Sequence, residues 1–192
     1  MSPSPRPLTA QAESRTNLEI FVLAAVRAGL DSAYDLNKSA DLSVGATLPL
    51  LSRLEKAGLL RSKAAARRSK QYSVTAEGRS VLQRSWQKLL EPVPREFEAI
   101  LRIAYVCAFM DGTLKIMRHF LRAAALERKL LGAERKRESE SILRESVQDA
   151  FGRGHRWLRA HSDAVRLEAE AAVLSCLSTR KDLSGVLRTR HS

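Results

Sequence analysis

Residues 43–75 read SVGATLPLLSRLEKAGLLRSKAAARRSKQYSVT, and this stretch decides the predicted fold. Leu48, Leu51 and Leu54 recur every three residues, so we expect them to share one face of a helix and to bury against a core. Gly58 follows the last of these leucines, at a position where helices often end in a left-handed cap. The first half of the stretch therefore predicts an amphipathic helix that ends before the glycine.

Two short strands are predicted after this helix. Residues 59–63 and 71–75 hold alternating or β-branched residues, and they flank a basic loop at residues 64–70. A helix followed by a hairpin is the order of the DNA-reading half of a winged helix-turn-helix. We therefore predict that residues 43–75 form the reading helix and a two-stranded wing.

Positive charge is concentrated in the same stretch. Residues 53–70 contain seven Lys and Arg against one acidic residue, so they carry a net charge of +6. Residues 1–92 contain 14 Lys and Arg against 8 Asp and Glu, which is also +6. The basic excess of the N-terminal half thus lies on one helix and its hairpin, as expected for phosphate contacts. The candidate DNA-binding residues are Ser43, Thr47, Arg53, Lys63, Arg67, Arg68 and Lys70.

Pro49 constrains where the third helix begins. Proline inside a helix removes a backbone hydrogen bond and crowds the preceding turn. We therefore expect this helix, capped by Ser43, to begin near residues 45–48, so that Pro49 falls in its first turn. Free amides at that end suit a phosphate, and Ser43 and Thr47 are placed to hydrogen-bond DNA. Both residues are equally well explained as caps or as solvent-facing polar residues.

Residues 32–82 resemble the PadR family of winged-helix transcriptional regulators. The resemblance rests on the order and spacing of four runs, which are AYDL at 33–36, LPLLSRLEKAGLL at 48–60, RRSK at 67–70 and YSVTAEGR at 72–79. It implies that the third helix enters the major groove of DNA. It also implies that Arg67, Arg68 and Lys70 of the wing contact phosphate or the adjacent minor groove.

Composition narrows the class of protein. The chain has 192 residues, 44% hydrophobic and 28% charged, which is typical of a folded soluble protein. A net charge of +12 favours a polyanionic partner, with nucleic acid ahead of an anionic membrane surface. No stretch approaches the roughly 18 uninterrupted apolar residues of a membrane span. The first ten residues lack the apolar run of a secretory signal. We therefore expect a cytoplasmic protein whose residues 1–15 form a disordered leader.

Helix caps and prolines predict the domain organisation. Thr16 and Glu19 form a capping box, so the first helix begins at Asn17. Further caps are predicted at Ser32 and Thr75, and the helix after Thr75 is expected to reach about Leu90. Prolines at positions 92 and 94 then break the chain. The predicted domains are a DNA-binding domain at 16–92, a helical dimerisation domain at 93–183 and a frayed basic tail at 184–192.

The second half is predicted to be entirely helical. We expect helices at about 95–110 and 114–148, an interruption at Gly152 and Gly154, and a last helix from about His155. Long helices with narrow apolar stripes need each other or a second chain. This half resembles the C-terminal domain of the larger PadR-type regulators, which implies long antiparallel helices that build a homodimer. Two modules related by a two-fold axis would address two half-sites on double-stranded DNA.

Nothing in the sequence favours an enzyme. The chain has no HExxH run, no pair of CxxC motifs and no serine nucleophile motif. Its histidines lack carboxylate or cysteine partners at ligand spacing, so no metal site and no cofactor are predicted; these histidines are His119, His155, His161 and His191. The family resemblance implies an aromatic effector between the dimer's helices, and Trp86 is the candidate residue to stack on it. A buried position in the core is the alternative explanation of Trp86.

The predicted fold is mainly α, with an N-terminal winged helix-turn-helix, a two-stranded wing and a helical C-terminal dimerisation domain. The predicted function is sequence-specific DNA binding by a homodimeric transcriptional regulator, a repressor released by a small molecule. The alternative is a winged-helix protein-interaction module that does not bind DNA. The two differ in whether a salt-dependent affinity for DNA exists.

Overall fold

The structure is a computed structural model, and it describes residues 16–64, 70–144 and 150–180. These residues form a mainly helical protein with one two-stranded antiparallel sheet. The elements, in chain order, are α1 (Asn17–Arg27), α2 (Ala33–Ala40), α3 (Val44–Lys56), β1 (Leu60–Ala64), β2 (Lys70–Val74), α4 (Ala76–Ser85), a 3-10 turn (Trp86–Leu89), α5 (Phe97–Asp111), α6 (Lys115–Arg144) and α7 (Ala150–Thr179). The predicted leader at 1–15 and the predicted basic tail at 184–192 lie outside the described residues.

Local capping chemistry sets the beginnings of the first four helices. The Thr16 hydroxyl accepts from the Glu19 amide at 3.3 Å, and the Glu19 carboxylate accepts from the Thr16 amide at 3.0 Å. Ser32, Ser43 and Thr75 each accept a hydrogen bond from an amide in the first turn of the helix that follows. The structure confirms the predicted capping box and these three caps. The sequence was sufficient to predict them because each cap depends only on residues three apart.

Helix α3 differs from its prediction in two ways. It begins at Val44, so Pro49 is its sixth residue and lies beyond the first turn. Leu51 and Leu54 are fully buried, but Leu48 is 49% exposed. A step of three residues turns a helix by roughly 300°, so Leu48 is rotated off the buried face. Leu50, which is 4% exposed, completes that face instead.

The hairpin is held closely against α4. Leu60 pairs with Val74 and Ala64 pairs with Lys70 in an antiparallel register. The amide of Thr75 donates to the Leu59 carbonyl at 3.0 Å, and its hydroxyl donates to the Gly58 carbonyl at 2.7 Å. The strand ends and the start of α4 therefore form one packed corner.

A continuous hydrophobic core joins the two halves of the chain. Helix α1 is buried along most of its length and packs against α4, β2 and α5. On the other side, Phe21 of α1 contacts Tyr105 of α5 edge to face, with ring centres 5.7 Å apart. The 3-10 turn ends at Leu89 and α5 begins at Phe97, so the prolines at 92 and 94 lie between elements. The boundary proposed at these prolines stays a prediction.

Helices α6 and α7 form a long antiparallel hairpin. Small side chains on α7, including Ala160 and Ala164, are buried against α6. The predicted interruption at Gly152 and Gly154 is wrong, because α7 begins at Ala150 and runs through both glycines. Glycine costs roughly 1 kcal/mol relative to alanine in a helix, which packing along 30 residues readily offsets. Within the described ranges, no helix is long and apolar enough to cross a membrane.

Candidate nucleic-acid interface

The outer face of α3 is the first part of the candidate interface. Its inner face is buried in the core through Leu50, Leu51 and Leu54, which fixes the helix on the body of the protein. Val44 and Leu48 are 45% and 49% exposed, outside this buried face. The outer face therefore offers apolar as well as polar side chains to a partner. The sequence pattern assigned Leu48 to the core and so missed it as a surface residue.

The two polar residues predicted at the start of α3 have different positions. Ser43 is exposed, and its hydroxyl caps the helix by accepting from the Ala46 amide at 3.4 Å. Thr47 is 1% exposed, and its hydroxyl donates to the Ser43 carbonyl at 2.8 Å. Its burial and this bond within α3 leave Thr47 no surface for DNA, so it is not one of the proposed contact residues. Ser43 remains accessible at the helix N-terminus, where amides favour an anion.

Arg53 is positioned by a buried carboxylate of α1. The Nε atom of Arg53 lies 3.1 Å from Oε1 of Glu19, whose side chain is 6% exposed and also belongs to the capping box of α1. The Arg53 side chain is 63% exposed, so it stays accessible from solvent. A fixed carboxylate partner limits the orientations of the guanidinium. The same contact joins the outer face of α3 to the beginning of the chain's first helix.

Glu55 connects α3 to both strands of the hairpin. The Ser62 hydroxyl of β1 donates to Glu55 Oε1 at 2.5 Å, and Lys70 Nζ of β2 lies 3.2 Å from Oε2. The hydrogen bond from Ser62, followed by that from Lys70, lowers the pKa of Glu55 below its ordinary value. This carboxylate is thus charged at neutral pH and holds the base of the hairpin beside α3. We call these three residues the wing clamp.

The other basic side chains lie at the end of α3 and on the opposite face of the hairpin from Ser62 and Lys70. Lys56, Arg61 and Lys63 are exposed, and Arg61 Nε donates to the Ser73 hydroxyl at 2.9 Å across the hairpin. Lys70 is accessible even within the wing clamp, since its side chain is 55% exposed. Of the predicted site, Arg53, Lys63 and Lys70 are therefore exposed on α3 and the hairpin, but the strand register places Lys63 and Lys70 on opposite faces of the hairpin. Arg67 and Arg68 lie outside the described residues.

The wing clamp gives a prediction about hairpin motion. Glu55→Ala removes both acceptors, so we expect amide hydrogen exchange in β1 and β2 to accelerate by up to about fivefold, the range of an exposed ion pair. Because the folded pKa of Glu55 is depressed, the clamp is intact above the unfolded pKa and weakens as pH falls through the folded value. Exchange measured by mass spectrometry at neutral pH tests this expectation.

Glu77→Ala is the matched control for the wing clamp. Glu77 pairs with Arg84 on α4, in an exposed contact of 3.0 Å that does not involve the hairpin. It removes the same charge and leaves the hairpin contacts in place. Equal exchange rates for the hairpin in the Glu55 and Glu77 variants would show that the clamp does not hold the wing.

Trp86 is a core residue in this structure. It is 4% exposed and belongs to the continuous hydrophobic cluster, which supports the core explanation over the stacking platform. A surface pocket of about 370 Å³ lies away from Trp86, between α6 and α7. Its polar lining includes Arg135, Arg156 and Asp163. Among the residues that the structure describes, no three His, Cys, Asp or Glu side chains are grouped as a metal site would require.

The fold and surface define a class of mainly helical proteins in which a basic two-stranded hairpin lies beside a helix with one exposed face. No family model and no curated protein matches the chain. Among solved structures, it is similar to Bacillus subtilis PadR in complex with operator DNA, at 17% sequence identity. The similarity covers 84% of this chain and 96% of that chain, with a TM-score of 0.35. A TM-score this low does not establish family membership.

Proposed function

We propose that the chain is a homodimeric DNA-binding transcription regulator of the winged helix-turn-helix type, and that it acts in the cytoplasm. Residues 16–92 would bind DNA and residues 93–183 would hold two copies together. The order of α1, α2, α3, the hairpin and α4 supports this proposal. The observation that carries it is the set of exposed basic side chains on α3 and the hairpin, described above, beside a buried inner face of α3.

The proposed mechanism places α3 in the major groove. This groove is wide enough for a helix, and apolar side chains there contact thymine methyl groups. Leu48 and Val44 on the outer face of α3 suit that contact, while Ser43 and the helix N-terminus suit a phosphate. Arg53 would lie at the edge of the groove, held by Glu19. Bases and backbone would thus be contacted by different parts of one helix.

The hairpin would supply the backbone contacts beside the groove. Lys63 and Lys70 flank the tip at which the sequence places Arg67 and Arg68. Four cations at one hairpin end favour contact with phosphate or with the adjacent minor groove. The wing clamp would keep this end at a fixed distance from α3, so that both elements meet the duplex together.

Repression and release by an effector are the finer part of the proposal. A bound dimer would exclude other proteins from its operator. A small aromatic molecule between the helical halves would change the spacing of the two wings, and the dimer would leave its half-sites. Because Trp86 is buried, it would act in this step through the packing of the 3-10 turn against α5.

The salt dependence of DNA binding tests the proposed function. Arg67→Ala combined with Arg68→Ala removes two cations from the hairpin tip. We expect weaker binding to DNA from upstream of the protein's own gene, and a slope of log affinity against log salt reduced by about two. Gel-shift or anisotropy titrations across a salt series measure both quantities.

Lys136→Ala combined with Arg137→Ala is the control, because both residues are exposed on α6 and the variant has the same net charge. The control should keep the affinity and slope of the unmodified protein. The proposal fails if the hairpin variant and the control are indistinguishable.

A protein-interaction module is the second candidate function. Exposed Val44 and Leu48 favour it, since apolar side chains on an outer helix face also suit a protein partner. This candidate predicts no salt-dependent affinity for DNA in the unmodified protein. The same salt series therefore separates the two functions.

A further inference from the structure

Helix α7 carries two separate stripes at coiled-coil spacing. The inner stripe is buried against α6 and consists of Ala160, Ala164, Leu167, Ala171, Leu174 and Ser178. The outer stripe has alternating steps of four and three residues, and every member is exposed; it consists of Phe151, His155, Leu158, Ser162, Val165, Ala169, Ala172 and Cys176. All seven Asp, Glu, Lys and Arg residues of α7 lie off the outer stripe. Such spacing without charge is typical of a seam that meets another helix.

The sizes of the outer-stripe residues show which helix fits. If the stripe is reversed about a point between Asp163 and Ala164, every pair of facing positions combines a larger and a smaller side chain. The pairs are Phe151 with Cys176, His155 with Ala172, Leu158 with Ala169, and Val165 with Ser162. Facing large and small residues keep two helices at an even distance along their length. A parallel arrangement would instead place Phe151 on Phe151 and Ala169 on Ala169.

We propose that the outer stripe of α7 pairs with the same stripe of a second copy, antiparallel and in this register. A two-fold axis would pass between Asp163 and Ala164, as a self-complementary interface requires. This inference rests on the homodimer of the proposed function and specifies its surface. It does not depend on DNA binding.

The extent of the stripe suits a dimer contact. From Phe151 to Cys176 it spans 25 residue steps, or about 38 Å of helix. Half the lateral surface of a cylinder of that length and about 11 Å across is roughly 650 Å². A standard interface buries roughly 800 Å² per partner, so the stripe together with its flanks supplies most of the required area.

The flanking charges are compatible with this register. On one flank, His161 of each copy faces Glu168 of the other, so an imidazole N–H can donate to a carboxylate oxygen. On the opposite flank, Arg159 faces Arg166. Two carboxylates of the same helix, at 3.1 and 3.0 Å, already neutralise Arg166. The pairing therefore places no uncompensated like charges together.

A disulfide between the two copies tests the register. In Phe151→Cys, the new thiol would face Cys176 of the partner at both ends of the stripe. Positions 151 and 176 of one helix are about 38 Å apart, so a bond between them must join two chains. Mild oxidation should convert most of the protein to a covalent dimer on a non-reducing gel. Phe151 is 88% exposed, so the substitution should not disturb folding.

The thiol of Cys107 does not interfere with this experiment. Cys107 is buried, and burial raises the pKa of its thiol to about 12, so it stays protonated and unreactive. Arg156→Cys is the matched control, because it places a thiol on an exposed position off the stripe. That control, the unmodified protein and the double variant Phe151→Cys with Cys176→Ser should all remain mostly monomeric on the gel.

Two results would overturn the proposed pairing. One is no more covalent dimer from Phe151→Cys than from Arg156→Cys. The other is a Cys176 to Cys176 dimer of the unmodified protein, which indicates parallel helices. Binding of operator DNA that persists in either case would leave the regulatory proposal standing with a different dimer surface. Loss of the salt-dependent DNA binding with efficient crosslinking would contradict only the regulatory proposal.

Discussion

Gly78→Ala is expected to destabilise the fold by about 3 kcal/mol, the upper range for overpacking a close-packed site. A Cβ atom on Gly78 would lie 2.2 Å from the Leu59 carbonyl oxygen and 2.8 Å from Cγ1 of Val74. The backbone oxygen cannot move away freely, because it accepts hydrogen bonds from the amide and hydroxyl of Thr75. The methyl group would therefore separate α4 from the hairpin or break the cap of α4.

Denaturant unfolding measures this loss as a lower midpoint, with thermal unfolding as an independent check. Gly132→Ala is the control, because its Cβ atom would lie 3.5 Å from Leu167 and Glu168, which is ordinary contact. Replacing a helical glycine there should raise stability by up to about 1 kcal/mol. A Gly78→Ala protein as stable as the unmodified chain would show that α4 does not approach the strand end so closely.

The sequence predicted features that depend on a few neighbouring residues. The capping box of Thr16 and Glu19 and the caps at Ser32 and Thr75 are of this kind, since donor and acceptor lie three residues apart. The antiparallel hairpin was predicted to within one residue at each end, because its alternation is also local. The mainly helical fold follows from the same signals.

Features that depend on the angular position of a residue around its helix, or on contacts with residues far away in the sequence, were not predicted correctly. Leu48 fits a three-residue repeat, yet each step of three falls roughly 60° short of a full turn of a regular helix, which places Leu48 at the surface. Glycine pairs normally weaken a helix, but the contacts of α7 along α6 outweigh them at Gly152 and Gly154. Thr47 is predicted either to contact DNA or to be a cap or solvent-facing residue, and its burial was missed because a threonine near a helix start gives no local sign of it.

The candidate site shows the same limit. The basic residues of α3 and the hairpin could be identified from charge alone, since seven of them lie within residues 53–70. The carboxylates that position them could not, because Glu19 reaches Arg53 from a different helix. Glu55 likewise meets Ser62 and Lys70 only after the hairpin has folded back on α3. Sequence thus indicated what the surface could bind, and the structure shows how its cations are held.

Arg128→Met is the second substitution with a large expected effect, a loss of roughly 3 to 5 kcal/mol for breaking a buried ion pair. Arg128 of α6 has a side chain only 5% exposed, and its Nε lies 3.1 Å from Oε2 of Glu170 on α7. Its Nη2 donates to the carbonyls of Pro94 at 3.3 Å and Arg95. One guanidinium therefore joins α6, α7 and the segment before α5.

Methionine keeps the apolar stem of the arginine but leaves the Glu170 carboxylate, 12% exposed, with Arg166 as its remaining ion-pair partner among the described residues. The double variant Arg128→Met with Glu170→Leu removes the stranded charge, so it should recover much of the lost stability. Arg135→Met is the matched control, because Arg135 pairs with Glu138 where both side chains are nearly half exposed. That surface pair should contribute less than about 1 kcal/mol. Equal unfolding midpoints for the Arg128 and Arg135 variants would mean that the buried contacts of the Arg128 guanidinium do not stabilise the α6–α7 hairpin.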